Sequence, residues 1–377
     1  MNPTELIGPP SPLGYPAPYW FLVTFKVLGF TLHMGPMHLW FAGILLAMVL
    51  ARWGGPEAQR WSARLMRQMP VIIALGVNFG IVPLLFTQVA YYRVFYPATI
   101  LMAWPWFLII ILLTFAYYGV YIYVTGLKDS AVLTPFKRAA GWVSAILFIV
   151  IGFLFSNGFS LMTHLSAWPQ LWQETSVAGA PLGTALNTSD PTLLPRWLMM
   201  FGLALTTVAA YTVFDAGVFA RRESAHYKSW AGGFAFKLYT VGLIWFAAMG
   251  SWYVFGTWPA DARAQMLSMP LVILTALTAL GPGLPWLLLL AQRRQITQTL
   301  AVLTALAQFG LLGLNAISRQ ILQNIELSKF FDVTAEPVNL QLSPLIVFLM
   351  LFVAGLGMVG WMLKNVLQAE REPRSEA

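Results

Sequence analysis

Two histidines, His33 and His38, lie close together in an apolar stretch near the start of this 377-residue chain. Each has a methionine beside it, Met34 or Met37, and no carboxylate lies nearby in the sequence. Imidazole and thioether groups are common axial ligands of haem iron. An imidazole inside a bilayer is costly unless it is paired, hydrogen-bonded or bound to a ligand. The pattern therefore indicates a haem ligand, a packing histidine bonded to a neighbouring helix, or a histidine at the lipid headgroups.

The composition indicates that the surrounding elements are membrane helices. Apolar residues make up 58% of the chain and charged residues only 10%, a balance that soluble domains of this length do not have. The chain has no cysteine, which excludes disulfides, thiolate catalysis, iron–sulfur ligation and covalent haem attachment. Any haem is therefore expected to be of the b type, held without a covalent bond.

Nine apolar stretches are each long enough to cross about 30 Å of hydrocarbon. They predict an all-α fold, a polytopic bundle of nine transmembrane helices. Residues 19–26 are predicted to form an interfacial turn before the first of them, because Lys26 is poorly tolerated deep in lipid. The predicted spans are 27–51, 69–91, 101–124, 139–162, 197–219, 235–257, 268–291, 297–316 and 343–364.

The same pattern divides the chain into three parts. Residues 1–18 are rich in proline and are predicted to form an arm outside the membrane. Residues 19–364 form the bundle, with long loops at 163–196 and 317–342 on the face that carries the N-terminus. Residues 365–377 form a tail on the opposite face.

The positions of the basic residues predict the orientation. With the N-terminus outside, the inner segments hold all but six of the 22 Lys and Arg residues. Such an excess on the cytoplasmic side is the usual orientation signal, so we expect a multi-pass protein of the cell's inner (cytoplasmic) membrane with its C-terminus in the cytoplasm. This topology accounts for the net charge of +8, and no nucleic-acid partner is expected. The six outer basic residues are Lys26, Arg93, Arg196, Arg263, Arg319 and Lys329.

Two spans contain helix-breaking sequences. Gly76-Val-Asn-Phe-Gly80 precedes Pro83 in the second span, and Gly281-Pro-Gly-Leu-Pro285 lies near the middle of the seventh. Broken helices expose carbonyl groups that need internal partners and often line a cavity, although proline is also tolerated as a simple kink. The sequence therefore predicts breaks in both spans, which line a cavity or only kink the helix.

Acidic residues are nearly absent from the predicted spans. Of the 14 acidic residues, only Asp215 falls within one, near its inner end and within reach of Arg221 or Arg222. Proton pumps usually carry carboxylates across the bilayer to relay protons. The sequence therefore disfavours a proton pump.

The spacing of the histidines restricts how they could bind haem. On a straight helix His33 and His38 point roughly 140° apart, so one haem cannot take both. The expected axial pair is His33 with His164, at the end of the fourth span, both near the outer boundary. His38 is then a further ligand with methionine or water opposite, or a packing residue. His226 lies in a basic inner loop and is expected to be solvated.

Polar residues gather toward the outer ends of several spans. They include Asn157, Arg319 and Gln320, and the layer is typical of a haem or quinone headgroup pocket, or of an ordinary interfacial belt. Arg319 and Gln320 are expected to hold a haem propionate or a quinone oxygen, because a guanidinium is a bidentate donor.

Four short sequences resemble, in order, those of subunit I of the cytochrome bd quinol oxidases, a family that also has nine helices with the N-terminus outside. His33 and the apolar run at 43–48 are similar to the haem-ligating end of the family's first helix. Residues 76–80 resemble its Gly-Val-Ala-Thr-Gly stretch, residues 157–162 its Asn-Gly-Trp-Met-Gln motif, and residues 318–322 its Gly-Arg-Gln-Pro-Trp motif. The resemblance implies a membrane subunit that binds haem b and quinol.

The chain also departs from that family. The family's quinol-oxidising loop corresponds to only a short segment around 259–266, and its second haem-ligating histidine would fall near Arg196, where no histidine stands. The glutamates of its third helix correspond to an apolar, aromatic run at 106–118. Of the family's three haems, only the one at His33 keeps a ligand, so oxygen reduction of the family type is not expected.

These observations predict a cytochrome bd-like membrane subunit of a respiratory electron-transfer complex. It would hold one or two b-type haems through His33, His38 and His164. It would exchange electrons between quinone and a redox protein docked on the outer face, alongside other subunits and membrane lipid. Two alternatives remain: a membrane anchor without a cofactor, with catalysis wholly in its partners, and a small-molecule transporter that uses the broken helices.

Overall fold

The structure, a computed structural model, describes residues 2–128, 133–220 and 222–369. Within these ranges nine helices are long and apolar enough to cross a membrane, which confirms the prediction of an all-α bundle with nine spans. The spans are Tyr19–Trp53, Pro56–Ala90, Ala103–Leu127, Pro135–Leu161, Leu193–Phe219, Ala225–Thr257, Leu271–Gln292, Gln298–Leu327 and Leu342–Met362. We call the face at which Tyr19 begins the first span the N-terminal face.

Shorter helices lie between or within the spans. The helices are α1 Tyr19–His38, α2 Ile44–Trp53, α3 Pro56–Ala90, α4 Tyr92–Leu101, α5 Ala103–Lys128, α6 Pro135–Leu161, α7 Trp168–Glu174, α8 Leu193–Phe214, α9 Ala225–Ser251, α10 Ala260–Met266, α11 Leu271–Leu280, α12 Gly283–Gln292, α13 Gln298–Leu327 and α14 Leu342–Ala369. One small hairpin pairs β1 Ser176–Val177 with β2 Ala180–Pro181.

The first span begins at Tyr19, so the predicted interfacial turn over 19–26 is wrong. Lys26 lies inside the helix and is only 8% exposed. The bundle tolerates its ammonium group because Nζ donates hydrogen bonds to Oε1 of Gln320 and Oε1 of Gln323, both at 2.8 Å. Hydrogen-bond partners on another helix therefore allow this charged residue to lie inside the bundle and not at the interface.

Prolines act differently in different spans. Helix α3 runs unbroken through Pro70 and Pro83, so the predicted break in the second span is wrong. The seventh span is divided between α11 and α12 at residues 281–282, as predicted. In the first span a π-helical turn, Leu39–Gly43, follows Pro36 and joins α1 to α2.

Helix α8 lies at the centre of the bundle, and most of its residues are buried. It packs closely on α9 through two glycines. A Cβ added at Gly202 would lie 2.7 Å from the backbone nitrogen of Phe246, and one added at Gly242 would lie 2.9 Å from the carbonyl oxygen of Gly202. This close approach holds α8 in register with its neighbour.

Helix α14 lies at the edge of the bundle, and no residue of its most apolar window is buried. It meets the bundle through aromatic rings: Phe348 lies 5.1 Å from Phe25 and 5.2 Å from Phe86, measured between ring centroids, and Phe352 lies 5.4 Å from Phe25. The helix continues to Ala369, past the predicted end of the last span at residue 364, and residues 370–377 of the predicted tail lie outside the described residues.

The N-terminal face carries most of the structure outside the spans. Helices α4, α7 and α10 and the β-hairpin lie there. Helix α13 continues to Leu327, so the loop predicted at 317–342 is shorter and covers 328–341. The loop prediction was wrong because the polar residues at 319–324 looked extramembrane, whereas other helices supply their hydrogen-bond partners.

The N-terminal arm is ordered against this face. The backbone of Tyr15 exchanges hydrogen bonds with the 328–341 loop, at 2.8 Å to the oxygen of Pro337 and 2.9 Å from the nitrogen of Asn339. The Tyr15 hydroxyl reaches the carbonyl oxygens of Ala90 and Val333, both at 2.9 Å. The arm therefore lies outside the spans, as predicted, and ties α3 to the last loop.

The α8–α9 contact makes a stability prediction. Gly242→Leu is expected to lower the free energy of unfolding by about 1–3 kcal/mol, because the side chain would overlap α8. Gly360→Leu is the matched control, since nothing lies within 4 Å of a Cβ there. Thermal unfolding in detergent measures both. Equal melting temperatures for the two variants would show that α8 and α9 do not pack this closely.

Candidate functional site

His38 is fully buried and has one free ring nitrogen. It lies at the end of α1 with 0% exposure, and its Nδ1 is 2.9 Å from Oγ1 of Thr207 on α8. Its Nε2 has no hydrogen-bond partner among the described residues. A buried polar nitrogen without a partner is costly in a bundle surrounded by hydrocarbon. His38 Nε2 is therefore a buried acceptor or donor whose partner has to be explained.

The neighbours of Thr207 decide which nitrogen of His38 carries the proton. The Thr207 hydroxyl lies 3.0 Å from the carbonyl oxygen of Leu203, to which it donates, and 3.1 Å from Nε2 of Gln308, from which it accepts. Because the Thr207 hydroxyl donates its only proton to the carbonyl oxygen of Leu203, its oxygen accepts the hydrogen bond from His38 Nδ1–H. This tautomer leaves a lone pair on Nε2, the form in which imidazole ligates a metal while its other nitrogen donates to a protein group.

A chain of hydrogen bonds leads from His38 to the break in the seventh span. The amide nitrogen of Gln308 donates to Thr207, and its Oε1 is 3.1 Å from the hydroxyl of Tyr239 on α9. That hydroxyl also lies 3.1 Å from the carbonyl oxygen of Pro282, so its single proton is shared between the two acceptors. We call His38, Thr207, Gln308, Tyr239 and Pro282 the mid-membrane chain. It gives the carbonyl oxygen of Pro282, which also accepts the backbone N–H of Trp286 at 3.3 Å, a second partner inside the bundle.

His33 faces a different helix. Its Nδ1 lies 2.7 Å from the carbonyl oxygen of Gly76 on α3. Since a carbonyl only accepts, Nδ1 donates, and Nε2 again keeps the lone pair. The ring packs edge-on to Trp40, with centroids 5.7 Å apart, and a Cβ added at Gly80 would lie 2.7 Å from Nδ1. Gly80 therefore makes room for His33 within a continuous α3, and Gly76 makes room for the ring of Trp40.

His164 has the opposite arrangement. It follows the end of α6, and its Nδ1 is 3.2 Å from Nδ2 of Asn187. The same Nδ2 donates to Oγ of Ser160, whose own proton goes to Asp190 at 2.5 Å. Asn187 is therefore the donor, and His164 Nδ1 is the acceptor. The lone pair of His164 is already used, which suits a residue that fixes the loop after α6.

Asn157 belongs to the same loop network. It is fully buried, and its Oδ1 accepts the backbone N–H of Asn187 at 3.0 Å. Its Nδ2 has no partner among the described residues. The structure thus brings Asn157 and His164 together around Asn187 and places both at the N-terminal face.

The expected pair of His33 with His164 is not formed. His33 lies about 21 Å along α1 from Tyr19 at 1.5 Å per residue, whereas His164 lies beyond the end of α6. His33 is bonded to Gly76 and His164 to Asn187, on different elements. The prediction that His33 and His164 lie at the same depth was wrong because the first span begins earlier in the sequence than predicted. That His33 and His38 face different helices agrees with the expectation that one haem cannot take both.

Gln320 is occupied by a network at the N-terminal face. Its Oε1 accepts from Lys26, and its Nε2 donates to the hydroxyl of Tyr91 and to Oδ1 of Asn324 at 3.0 Å. Burial, with the adjacent Tyr19, raises the pKa of Tyr91 well above its usual value, so this phenol keeps its proton. Gln320 serves this network and has little capacity left for a cofactor.

Arg319 does not share the bonds of its neighbour. Its guanidinium lies between two rings, 4.9 Å from the centroid of Phe30 and 4.4 Å from that of Phe159. It lines a small crevice that also includes Arg196 and Glu326. Of the two predicted anion-binding residues, Arg319 is the one that remains available.

Asp215 is paired within the bundle. Arg64 on α3 binds it with two hydrogen bonds of 3.0 Å, and Gln68 adds a third at 2.7 Å. The sequence had suggested Arg221 or Arg222 as its partner. Arg64 is a partner that the sequence did not suggest, because the helices bring it alongside, and Arg221 lies outside the described residues.

A wide apolar groove opens beside the mid-membrane chain. It has a volume of about 790 Å³ and lies between α11, α12 and α13. Gly281 and Ala307, which line it, are the chain neighbours of Pro282 and Gln308. The described residues contain no group of three or more His, Cys, Asp or Glu able to hold a bare metal ion.

No model of a known protein family matches the chain, and no curated protein matches it either. The resemblance to cytochrome bd subunit I therefore stays a hypothesis based on the short sequences quoted above.

The mid-membrane chain includes residues that the sequence did not single out. Thr207 and Tyr239 are ordinary residues of apolar spans, and Gln308 lies within the eighth predicted span. The signal available was depth: each lies near the middle of a span once the helix ends are known. Polar residues at that depth need partners on neighbouring helices.

The His38–Thr207 bond predicts an asymmetry between adjacent threonines. Thr207→Val removes the acceptor for His38 Nδ1–H and is expected to lower the free energy of unfolding by about 1–3 kcal/mol. Thr206→Val is the matched control, since Thr206 also accepts from Gln308, at 3.0 Å, and no bond joins it to His38. Chemical unfolding in detergent measures the difference. A loss as large in Thr206→Val as in Thr207→Val would contradict the special role of Thr207.

Proposed function

We propose that this chain is a haem b-binding membrane subunit of an electron-transfer complex, with His38 as a ligand of the iron. One observation carries the proposal: the buried Nε2 of His38 keeps a lone pair and has no partner, while Nδ1 is held by Thr207. A metal-ligating histidine usually shows this arrangement. The donor chemistry at His38 therefore fits a haem iron.

His33 offers the same tautomer on another face of α1, where Gly76 holds its Nδ1. Because the two rings face different helices, they would bind two different haems and not one. His164, with its lone pair used by Asn187, is the weakest of the three predicted ligands. His38 is therefore the proposed primary ligand, in place of His33, which the sequence had indicated.

Haem b, when bound, would accept and release one electron at a time. The residues of this chain supply the surroundings. Thr207 orients the imidazole of His38, and Gln308 and Tyr239 keep Thr207 in place. The apolar side chains around them exclude water, which strengthens each of these hydrogen bonds.

Quinone exchange is the second part of the proposal. The groove between α11, α12 and α13 is apolar and large enough for a lipid-soluble ring. It lies next to Pro282 and Gln308, so the mid-membrane chain joins it to His38. A quinone that entered this groove from the bilayer would therefore lie beside one end of the mid-membrane chain, with the proposed haem ligand His38 at the other end.

Partners are proposed on two surfaces. The N-terminal face, with α4, α7, α10 and the β-hairpin, is elaborate enough to dock a redox protein. The exposed sides of α14 suit another membrane subunit. The excess of basic residues on the opposite face supports a location in the cytoplasmic membrane with the N-terminus outside.

A membrane anchor without a cofactor is the second candidate. The packing at His33 favours it, because the ring is pressed against Gly80 and Trp40. In this case each histidine only satisfies a neighbouring helix. A transporter is less favoured, since α3 is continuous and does not form the second of two broken helices.

The haem proposal is tested by four alanine variants of the purified chain. His38→Ala is expected to lose most of the bound haem b, because the iron loses its axial ligand, and added imidazole should restore part of it. His226→Ala is the control: its side chain is 82% exposed on the opposite face, and haem content should not change. Extracted haem and the reduced-minus-oxidised spectrum are the measurements.

His33→Ala and His164→Ala complete the series. We expect a smaller loss of haem in His33→Ala than in His38→Ala. We expect no loss of haem per folded chain in His164→Ala. Unchanged haem content in a folded His38→Ala variant would remove His38 as a ligand.

A further inference from the structure

A crevice at the N-terminal end of the bundle gathers hydrogen-bond donors around very little negative charge. We call it the arginine crevice and define it by Arg196, Tyr253, Arg319, Gln323 and Glu326. These side chains come from α8, the π-helical end of the sixth span, and α13. Three separate spans therefore converge on one small volume.

Gln323 contributes an unsatisfied donor. Its Oε1 accepts from Lys26 Nζ at 2.8 Å, and this contact fixes the orientation of the amide, because an ammonium group cannot accept. Gln323 is only 8% exposed, and its Nε2 is buried and has no partner among the described residues. A buried amide N–H without an acceptor costs about 1–3 kcal/mol, so an acceptor at this position would be favourable.

The two guanidinium groups are held in place without a carboxylate partner. Arg319 is covered on its faces by Phe30 and Phe159, which leaves only its N–H edge for hydrogen bonds. Arg196 donates to the carbonyl oxygen of Ser156 at 3.3 Å. No salt bridge to either arginine occurs in the described part of the chain, and Glu326 is the only carboxylate that lines the crevice. Two positive charges therefore face one negative charge.

The dimensions limit what can enter. The enclosed void is about 10 Å³, room for about one water-sized atom. The residues of α13 that line the crevice, from Arg319 to Glu326, lie within about 12 Å of its end at Leu327 at 1.5 Å per residue, so the crevice lies at the N-terminal end of the bundle. A single oxygen of a larger group could reach the donors while the rest of that group stayed at the membrane surface.

From these contacts we propose that the arginine crevice binds a phosphate through one of its oxygens, with Arg319, Arg196 and Gln323 Nε2 as donors. Charge-assisted bonds from guanidinium to phosphate are among the strongest in proteins. The phosphate belongs to an anionic membrane lipid or is free inorganic phosphate. This inference does not depend on haem or quinone.

The test uses the purified full-length chain in neutral detergent with three probes: phosphatidylglycerol, phosphatidylcholine and inorganic phosphate. Melting temperature and native mass spectrometry report binding. Phosphatidylglycerol is expected to raise the melting temperature and to be retained, because it carries a net negative charge that phosphatidylcholine lacks. Arg319→Gln is expected to weaken this binding about tenfold, the loss of one charge-assisted bond.

Arg263→Gln is the matched control. It removes the same charge at the same face, on α10, where Arg263 bonds only an exposed carbonyl oxygen of Phe255 at 3.0 Å. This variant should bind phosphatidylglycerol as the wild type does. If Arg319→Gln does not fold, Arg196→Gln serves in its place.

Each outcome decides a part of the proposal. Binding of phosphatidylglycerol that Arg319→Gln weakens and Arg263→Gln keeps supports a lipid phosphate. Stabilisation by inorganic phosphate alone, with the same pattern among the variants, supports the site and assigns it to the free ion. Binding that Arg319→Gln and Arg263→Gln weaken equally, or no binding by any probe, would overturn the proposal.

Discussion

The hydrogen bond between His38 Nδ1 and Thr207 Oγ1 determines how the middle of this bundle is organised. It directs the proton of the imidazole toward α8 and leaves the lone pair of Nε2 in the core. Through Gln308 and Tyr239 the same bond is linked to the carbonyl group at the break of the seventh span. One contact therefore couples the candidate ligand, the central helix and the broken helix. Hydrocarbon offers no replacement for these partners.

The N-terminal end of the bundle follows the same rule with charged groups. Lys26 is tolerated because two glutamine oxygens accept its protons, and Arg319 because two aromatic rings cover its faces. These solutions differ from the pairing of Asp215 with Arg64 near the opposite face, where a carboxylate neutralises the guanidinium. The arginine crevice thus holds two guanidinium groups and one carboxylate, and that local imbalance supports the proposed phosphate site.

Hydropathy was enough to predict the nine spans, since each needs only about 20 apolar residues. It could not place the ends of α1 and α13, because Lys26, Arg319 and Gln320 look extramembrane until their partners on other helices are known. The same error placed His33 at the depth of His164. Gly76 and Gly80 were expected to break α3, but within an unbroken helix Gly76 accommodates the ring of Trp40 and Gly80 that of His33. The tautomers depend on contacts between distant residues, which periodicity along one helix cannot reveal.

The haem b content of the purified, folded wild-type chain shows whether this bundle is a haem protein. Haem extracted into pyridine and measured against protein concentration gives the ratio without any variant. We expect at least one haem b for each chain, retained through purification, with a reducible b-type spectrum. A stable, colourless preparation with no extractable haem would contradict it and leave the anchor as the function of the bundle.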